Sequence, residues 1–100
     1  MRTAVAKARV AARKAEEAHP SGGLFGFAWV VTYEAQSEIT QALVDLKYAH
    51  VNGTKSYIVD FVMKDVHSSM IDTMEAAAEA AADVLTEELG QKFYSNSMLD

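Results

Sequence analysis

The sequence contains no cysteine and no apolar run that approaches the roughly 20 residues needed to span a membrane. The lack of cysteine excludes disulfide bonds, thiolate metal sites and cysteine nucleophiles, and it fits a protein of the reducing cytosol. The first residues alternate alanine with arginine and lysine, so they lack the continuous apolar stretch of a secretory signal. These absences predict a cytoplasmic protein that does not associate with membranes.

Positive charge is also missing from a long part of the chain, because no lysine or arginine occurs between Lys64 and Lys92. Residues 1–19 carry five basic and two acidic residues, whereas residues 20–100 carry four basic and twelve acidic residues, within a net charge of −5. A basic arm on an acidic body is typical of interaction tails, and it also allows a protein to neutralise itself internally. We expect partial internal neutralisation, in which acids of the C-terminal helix are balanced by Arg2, Arg9 and Arg13.

The length of 100 residues predicts a single domain whose core buries roughly 60–70% of the unfolded surface. Its parts follow in the order of a basic Ala-rich helix (1–19), a sheet region (24–65), an acidic-faced helix (68–90) and a tail or edge strand (91–100). The predicted fold class is therefore α+β, with a sheet of three or four strands packed by Ala-rich N- and C-terminal helices.

The first helix is predicted over residues 3–18, because alanine is the best helix former and the apolar residues form a helical stripe. The His19-Pro20-Ser21-Gly22-Gly23 segment should end it. Residues 24–34 then alternate as a strand, with Gly26 and Ala28 on a face that a small-residue helix can approach closely. We expect the opposite face to lie in the core, with an exposed binding face as the alternative; it bears Phe25, Phe27, Trp29, Val31 and Tyr33.

Residues 37–49 fit two structures. As a helix, they would be capped by Ser37 and would carry one apolar stripe. As a strand, they would alternate in hydrophobicity and turn back through Asn52-Gly53, a preferred pair for a two-residue hairpin turn. The periodicity leaves both alternatives open.

Two further elements have clearer patterns. Residues 56–65 predict a strand, because alternate positions are occupied by Tyr57, Val59, Phe61 and Met63. Residues 69–89 predict a long helix, which Ser68 or Ser69 caps at its start and Gly90 terminates. Its buried stripe should contain Met70, Met74, Ala77, Ala78, Ala81, Leu85 and Leu89.

Five carboxylates fall in one line on this last helix, at spacings of three, four, four and four; we call them the acidic row, which consists of Asp72, Glu75, Glu79, Asp83 and Glu87. Like charges at these spacings destabilise an isolated helix by roughly 0.2–0.5 kcal/mol per pair. The row predicts a surface that binds a basic partner. The competing interpretation is a face that only contacts solvent, as charge runs on helices usually do.

The histidines do not indicate catalysis, since all three lie in predicted loops or strand edges. Asp65, His67 and Ser68 are the residue types of an acyl-transfer site. Nucleophilic catalysis, however, needs the base to be oriented by a third group and held against the serine. We expect no catalytic residues and a protein that is not an enzyme.

No metal or cofactor site is expected either. His67, Asp72 and Glu75 are potential ligands, but their spacing matches no ligand pattern. Gly22-Gly23 and Gly26 precede a strand instead of a helix, so they do not form a phosphate-binding loop.

Nucleic-acid binding through the basic first helix is a weak alternative, because phosphates bind lysine and arginine electrostatically. The predicted order of elements superficially resembles that of a double-stranded-RNA-binding domain. The lysine cluster at the start of that family's last helix is replaced here by His67-Ser68-Ser69-Met70. Since the body of the molecule is acidic, we expect no nucleic-acid partner.

The combination of an Ala-rich basic helix with Gly26-Phe27-Ala28-Trp29-Val30 resembles a group of small uncharacterised tailed-bacteriophage proteins. Their C-terminal Ala-rich helix, Gly-containing break and short tail are similar to residues 88–100 here, although Met98 stands where the family usually has arginine. The resemblance covers both ends and the strand at residues 57–63. It implies a protein of the infected bacterial cytoplasm, a helix within residues 37–49 and an added strand at residues 92–96, and it implies no particular activity.

The expected function is that of a non-enzymatic, phage-type accessory protein that acts by protein–protein interaction. Its partner would be an unidentified host or phage protein, and a homo-oligomer is expected because alanine helices in a short chain bury little area. The first alternative is an acidic nucleic-acid mimic that inhibits a host DNA- or RNA-handling protein. The second is the weak nucleic-acid-binding module described above.

Overall fold

The computed structural model describes residues 1–19, 23–53 and 55–100 and confirms the α+β fold class. The predicted helix stop at Pro20, Ser21 and Gly22 lies outside the described residues. The helices and strands, in chain order, are α1 (Arg2–Ala18), β1 (Gly26–Thr32), α2 (Glu38–Asp45), β2 (His50–Asn52), β3 (Ser56–Ile58), α3 (Ile71–Leu89) and β4 (Tyr94–Leu99).

The four strands form one antiparallel sheet in the order β2-β3-β1-β4. β4 pairs with almost the whole of β1, with Met98 opposite Phe27 and Tyr94 opposite Val31. On its other side β1 pairs with β3, where Val31 lies opposite Ile58. The tail predicted as an edge strand is thus the fourth strand of the sheet.

Small residues bring the helices and the sheet together. On β1, Ala28 and Val30 are 6% and 0% exposed and belong to the same core cluster as the buried alanines of α1 and α3. A Cβ atom added at Gly26 would lie 2.8 Å from Ile71 Cδ1 at the start of α3 and 2.8 Å from the Met98 carbonyl oxygen. The close approach predicted on this face of β1 is confirmed.

The opposite face of β1 is not the core, and the prediction for its aromatic residues is wrong. Phe25, Phe27 and Tyr33 are each more than half exposed, and Trp29 is only partly buried. Only Val31 is enclosed, at 1% exposure. The reason is steric, because alanine helices can bury their short side chains only against a face that lets the backbones approach, and the face with Gly26 does so.

The helical alternative for residues 37–49 is confirmed, and the continuous strand is wrong. Ser37 caps α2, since its side chain accepts a hydrogen bond from Thr40 N at 3.0 Å. A hairpin follows α2, but Asn52 pairs with Ser56 as the last residue of β2. The turn therefore begins one residue later than predicted, at Gly53, whose φ of 73° suits glycine.

The strand predicted over residues 56–65 is shorter, because β3 ends at Ile58 and a 3-10 turn follows at Phe61–Met63. Val59 and Val62 are both fully buried, at a spacing of three that no strand allows on one face. Phe61 N donates to Tyr48 O at 3.4 Å, and the Arg9 guanidinium lies 4.6 Å from the Phe61 ring centre. The segment therefore packs beneath α1 instead of extending the sheet.

The start of α3 also differs from the prediction. Ser69 O accepts from Gly26 N at 3.0 Å, and Ile71 N donates to Leu24 O at 2.9 Å, so this segment forms a β-bridge to the start of β1. Neither Ser68 nor Ser69 caps the helix, because α3 begins only at Ile71 and its N-cap residue is Met70, which has an extended backbone and makes no side-chain capping bond. The predicted C-terminal glycine is confirmed at Gly90, whose φ is 69°.

A buried polar cluster joins α2, β1 and the segment before β4. Gln91 is 8% exposed and its Nε2 donates to Thr32 Oγ1 and Thr40 Oγ1 at 3.0 and 2.9 Å. Ser37 Oγ donates to Gln91 Oε1 at 2.6 Å. Because each buried polar group has a partner, the cluster fixes where the chain enters β4.

Gly26→Ala should destabilise the protein by about 1–3 kcal/mol, because its methyl group would overlap Ile71 and a backbone carbonyl that cannot move freely. Urea unfolding would measure this change. Gly23→Ala is the matched control, since its Cβ would lie 3.8 Å from the nearest atom, at ordinary contact distance. Equal stability of the two variants would contradict the packing described for β1.

Candidate functional site

One face of the sheet carries a set of exposed apolar side chains. We call it the aromatic face; it bears Phe27, Trp29, Tyr33, Tyr94 and Met98. Cross-strand pairing places Phe27 beside Met98, and the Tyr33 and Tyr94 rings are 5.5 Å apart. Phe27, Tyr94 and Met98 are 52%, 43% and 59% exposed. Isolated apolar residues on a surface are ordinary, but a contiguous set indicates a contact surface.

The aromatic face is also free of charge. Neither β1 nor β4 contains an aspartate, glutamate, lysine, arginine or histidine. Asn96 Nδ2 donates to the Tyr33 hydroxyl at 3.3 Å, and the Lys92 ammonium lies 5.3 Å from the Tyr94 ring centre at one end of the face. Protein interfaces have this composition, with aromatic residues and methionine in the middle and few charges.

The acidic row lies in the other layer of the molecule, on α3. Glu75 is its least exposed member and accepts a hydrogen bond from Ser97 Oγ of β4 at 2.5 Å, whereas Asp72, Glu79, Asp83 and Glu87 are exposed. Each step of four residues advances about 40° around a helix. From Glu75, which lies above β4, the row therefore winds outward along α3, so that Glu87 points about 120° away from Glu75.

Internal neutralisation between α1 and α3 occurs, but not through the predicted arginines. Lys7 Nζ pairs with Glu88 Oε1 at 3.0 Å. Arg9 makes two hydrogen bonds to Asp65, at 2.7 and 2.8 Å, and Arg13 pairs with Glu17 one turn along its own helix at 3.4 Å. The prediction that Arg9 and Arg13 balance the acidic row is wrong, because nearer carboxylates take both guanidinium groups.

Three other acids of the body, Glu38, Asp45 and Asp60, lie on elements other than the one that carries the acidic row. Glu38 and Asp45 lie on α2. Asp60 lies 3.7 Å from His50 of β2, at the far edge of the sheet from β4. A single winding line of carboxylates is sparser than duplex DNA, which carries about one charge per 1.7 Å of axis.

The residue types of an acyl-transfer site are not arranged as a triad. Both Asp65 oxygens accept from Arg9, and Ser68 Oγ accepts from Met70 N at 3.1 Å. The backbone N–H groups of His67 and Ser68 donate to Glu16 Oε2 at 2.8 and 2.7 Å, which fixes this segment against α1. The cluster thus fastens α1 to the segment before α3.

No three acidic or histidine side chains converge as a metal site within residues 1–19, 23–53 and 55–100, so His67, Asp72 and Glu75 are not brought together as ligands there. None of the helices in these ranges is long and apolar enough to cross a membrane. Neither a protein-family model, a curated protein nor a solved structure matches this chain.

Sequence reasoning found the spacing of the acidic row, but for the aromatic residues it preferred a core position over an exposed binding face. The pattern shows that the two faces of β1 differ, and it does not show which one the helices cover. The available signal was the size contrast, since Gly26 and Ala28 admit alanine helices and the aromatic residues do not.

Lowering the pH should weaken the link between α1 and the segment before α3. The hydrogen bonds from Arg9 lower the pKa of the Asp65 carboxyl below its usual range. The pair's stabilisation is therefore complete above the unfolded-state pKa of about 3.9 and is lost as pH falls through the lower folded-state value. Thermal melts should show that Asp65→Asn lowers the melting temperature at neutral pH and has a smaller effect near pH 2.5.

The matched control for this experiment is Glu17→Gln, which removes the exposed pair with Arg13 on one helix. Exposed pairs of this kind contribute about 0.3–0.5 kcal/mol, so its melting temperature should stay close to that of the wild type at both pH values. A loss at Asp65→Asn that is equally large at neutral and acid pH would show that charge does not stabilise this contact.

Proposed function

We propose that this chain is a non-enzymatic, phage-type accessory protein that acts by protein–protein interaction and forms a homodimer through the aromatic face. The observation that carries the proposal is the exposure of Phe27, Tyr33, Tyr94 and Met98 side by side at two strands, β1 and β4, that contain no charged residue. The phage context, and with it the infected bacterial cytoplasm, follows from the sequence resemblance at β1 and the C-terminal tail.

A second copy of the chain is the occupant that the charges favour. Two molecules of net charge −5 repel each other, so a shared surface without carboxylates adds least to this repulsion. The aromatic face meets this condition. When two sheets stack face to face about 10 Å apart, the helical layers lie on the outside and the two acidic rows are kept apart.

The size of the face sets the expected affinity. β1 has seven residues and spans about 23 Å, and β1 and β4 together are only about 10 Å wide. A strip of this size is small for a specific interface, as in weak and transient complexes. The dimer should therefore form at micromolar concentration, in exchange with the monomer.

Phe27→Glu should prevent dimerisation, because two carboxylates would be buried opposite each other in the contact. Sedimentation velocity at micromolar concentration is the measurement. Val10→Glu is the matched control, since Val10 on α1 is also 52% exposed and the variant gains the same charge. We expect dimers for the wild type and Val10→Glu, and monomers for Phe27→Glu.

A wild-type protein that sediments as a 10.9 kDa monomer throughout the micromolar range would overturn the dimer. Dissociation of both variants to the same extent would instead mean that added negative charge, and not its position on the aromatic face, breaks the association.

Nucleic acid should not bind. Non-specific affinity comes mainly from cations on phosphates, and Lys7, Arg9 and Arg13 of α1 are already paired with carboxylates. A gel shift at low salt with duplex and single-stranded DNA and RNA should show no complex at micromolar protein. A shift that disappears on charge reversal of Arg2 and Lys14 would revive the nucleic-acid-binding alternative.

A further inference from the structure

We propose that the free edge of β4 binds an extended basic segment of another protein, in which lysine or arginine alternates with apolar residues. The segment would add a fifth strand to the sheet. Its basic side chains would meet carboxylates of the acidic row, and its apolar side chains would continue the aromatic face. This surface is the strand edge, so the inference does not depend on dimerisation through the face.

Half of the backbone hydrogen-bonding groups of β4 are not used by β1. Asp100 N donates to Phe25 O at 3.1 Å, so these two residues form a hydrogen-bonded pair. The next pair along the ladder is Leu99 opposite Gly26. Hydrogen-bonded and non-bonded pairs alternate along an antiparallel ladder. The N–H and C=O groups of every second residue of β4 therefore point away from β1, and these residues are Ser95, Ser97 and Leu99.

Within residues 1–19, 23–53 and 55–100, this edge lacks the usual protection. Edge strands are normally short or carry lysine, proline or inward-pointing charges that prevent pairing with other chains. β2, at the other edge, has only three residues. β4 has six, none of which is proline or charged. An uncharged edge of this length is a template for β-strand addition.

Carboxylates of α3 lie beside this edge. Two hydrogen bonds hold α3 over β4 and over the residue that precedes it. Ser97 Oγ donates to Glu75 Oε2 at 2.5 Å, and Phe93 N donates to Thr86 Oγ1 at 2.9 Å. Glu79 lies between these two points on α3, about 40° further toward solvent than Glu75. Glu75 and Glu79 thus stand on the helical side of the β4 edge.

The charges beside this edge favour a basic strand over a second copy of β4. If two copies paired through β4, their two acidic rows would meet across the new ladder, and like charges would oppose the pairing. A basic strand is attracted by the same carboxylates. Because side chains alternate between the faces of a sheet, its residues opposite Ser95 and Ser97 face Glu75 and Glu79. The residue between them lies opposite Asn96, on the face that bears Tyr94 and Met98.

The experiment uses the full chain and a fluorescently labelled octapeptide of alternating lysine and valine, with binding followed by anisotropy at low salt. The control peptide has four valines followed by four lysines, which keeps the composition and charge but removes the alternation. We expect the alternating peptide to bind with micromolar affinity and the block peptide to bind at least about tenfold more weakly.

Protein variants separate the position of the charges from their number. The double variant E75Q/E79Q should weaken peptide binding roughly threefold to tenfold, because two ion pairs are lost beside the edge. The matched double variant D83N/E87Q removes the same charge from the part of the acidic row that winds away from β4. It should change the affinity less than about twofold.

The backbone contact is tested by Ser97→Pro, which removes an outward N–H without removing a bond to β1, and proline is tolerated at such edge positions. Peptide binding should be lost in this variant. Ser97→Ala keeps the N–H and removes the hydroxyl with its hydrogen bond to Glu75, so it should weaken binding by no more than the E75Q/E79Q variant. If Ser97→Pro does not fold by circular dichroism, a peptide with N-methylated alternate residues tests the same hydrogen bonds on the wild type.

Absence of binding by the wild type, equal affinity for the two peptides, equal effects of the two charge variants, or full binding after the backbone block would each overturn the proposal. Sedimentation of the wild type is measured independently. A dimer that fails to bind the peptide would refute the edge site alone, and a monomer that binds it would refute only the homodimer.

Discussion

The contact between the small-residue face of β1 and the start of α3 determines the rest of the structure. Ile71 approaches Gly26 so closely that a methyl group there would overlap it. Alanine side chains bury little area each, so a core made from them is stable only when helices and sheet pack at short distance over many contacts. Once Gly26 and Ala28 face the helices, the alternation of β1 places Phe27 and Tyr33 on the other side.

Local patterns predicted the elements that local chemistry controls. The alanine stripe predicted α1, the Ser37 cap predicted α2 as one of two alternatives, and Gly90 predicted the end of α3. Tertiary contacts decided the rest. α3 begins after the predicted serine caps because its preceding residues pair with the start of β1, and β3 is short because Val59 and Val62 both enter the core.

For the charged residues, too, the local pattern predicts one part and tertiary contacts decide the other. The sequence reveals where the acids and bases are in the chain, and the spacing of the acidic row follows from helical periodicity alone. It does not reveal which ion pairs form, because Arg9 and Asp65 are 56 residues apart and meet only when α1 packs over the segment before α3. The free edge of β4 is equally a property of the assembled sheet, since the same six residues would be unremarkable in a central strand.

Edge strands must avoid pairing with copies of themselves, and β4 has no lysine or proline to prevent this. The carboxylates above it can supply the missing protection from the neighbouring layer. Glu75 and Glu79 oppose a second β4, which brings its own acids, and they attract a strand that carries cations. One set of charges thereby rejects the wrong strand and favours the right one, which is how specific interfaces separate partners of similar shape. The aromatic face carries no such charges, so in the proposed dimer only shape and apolar area would select the partner.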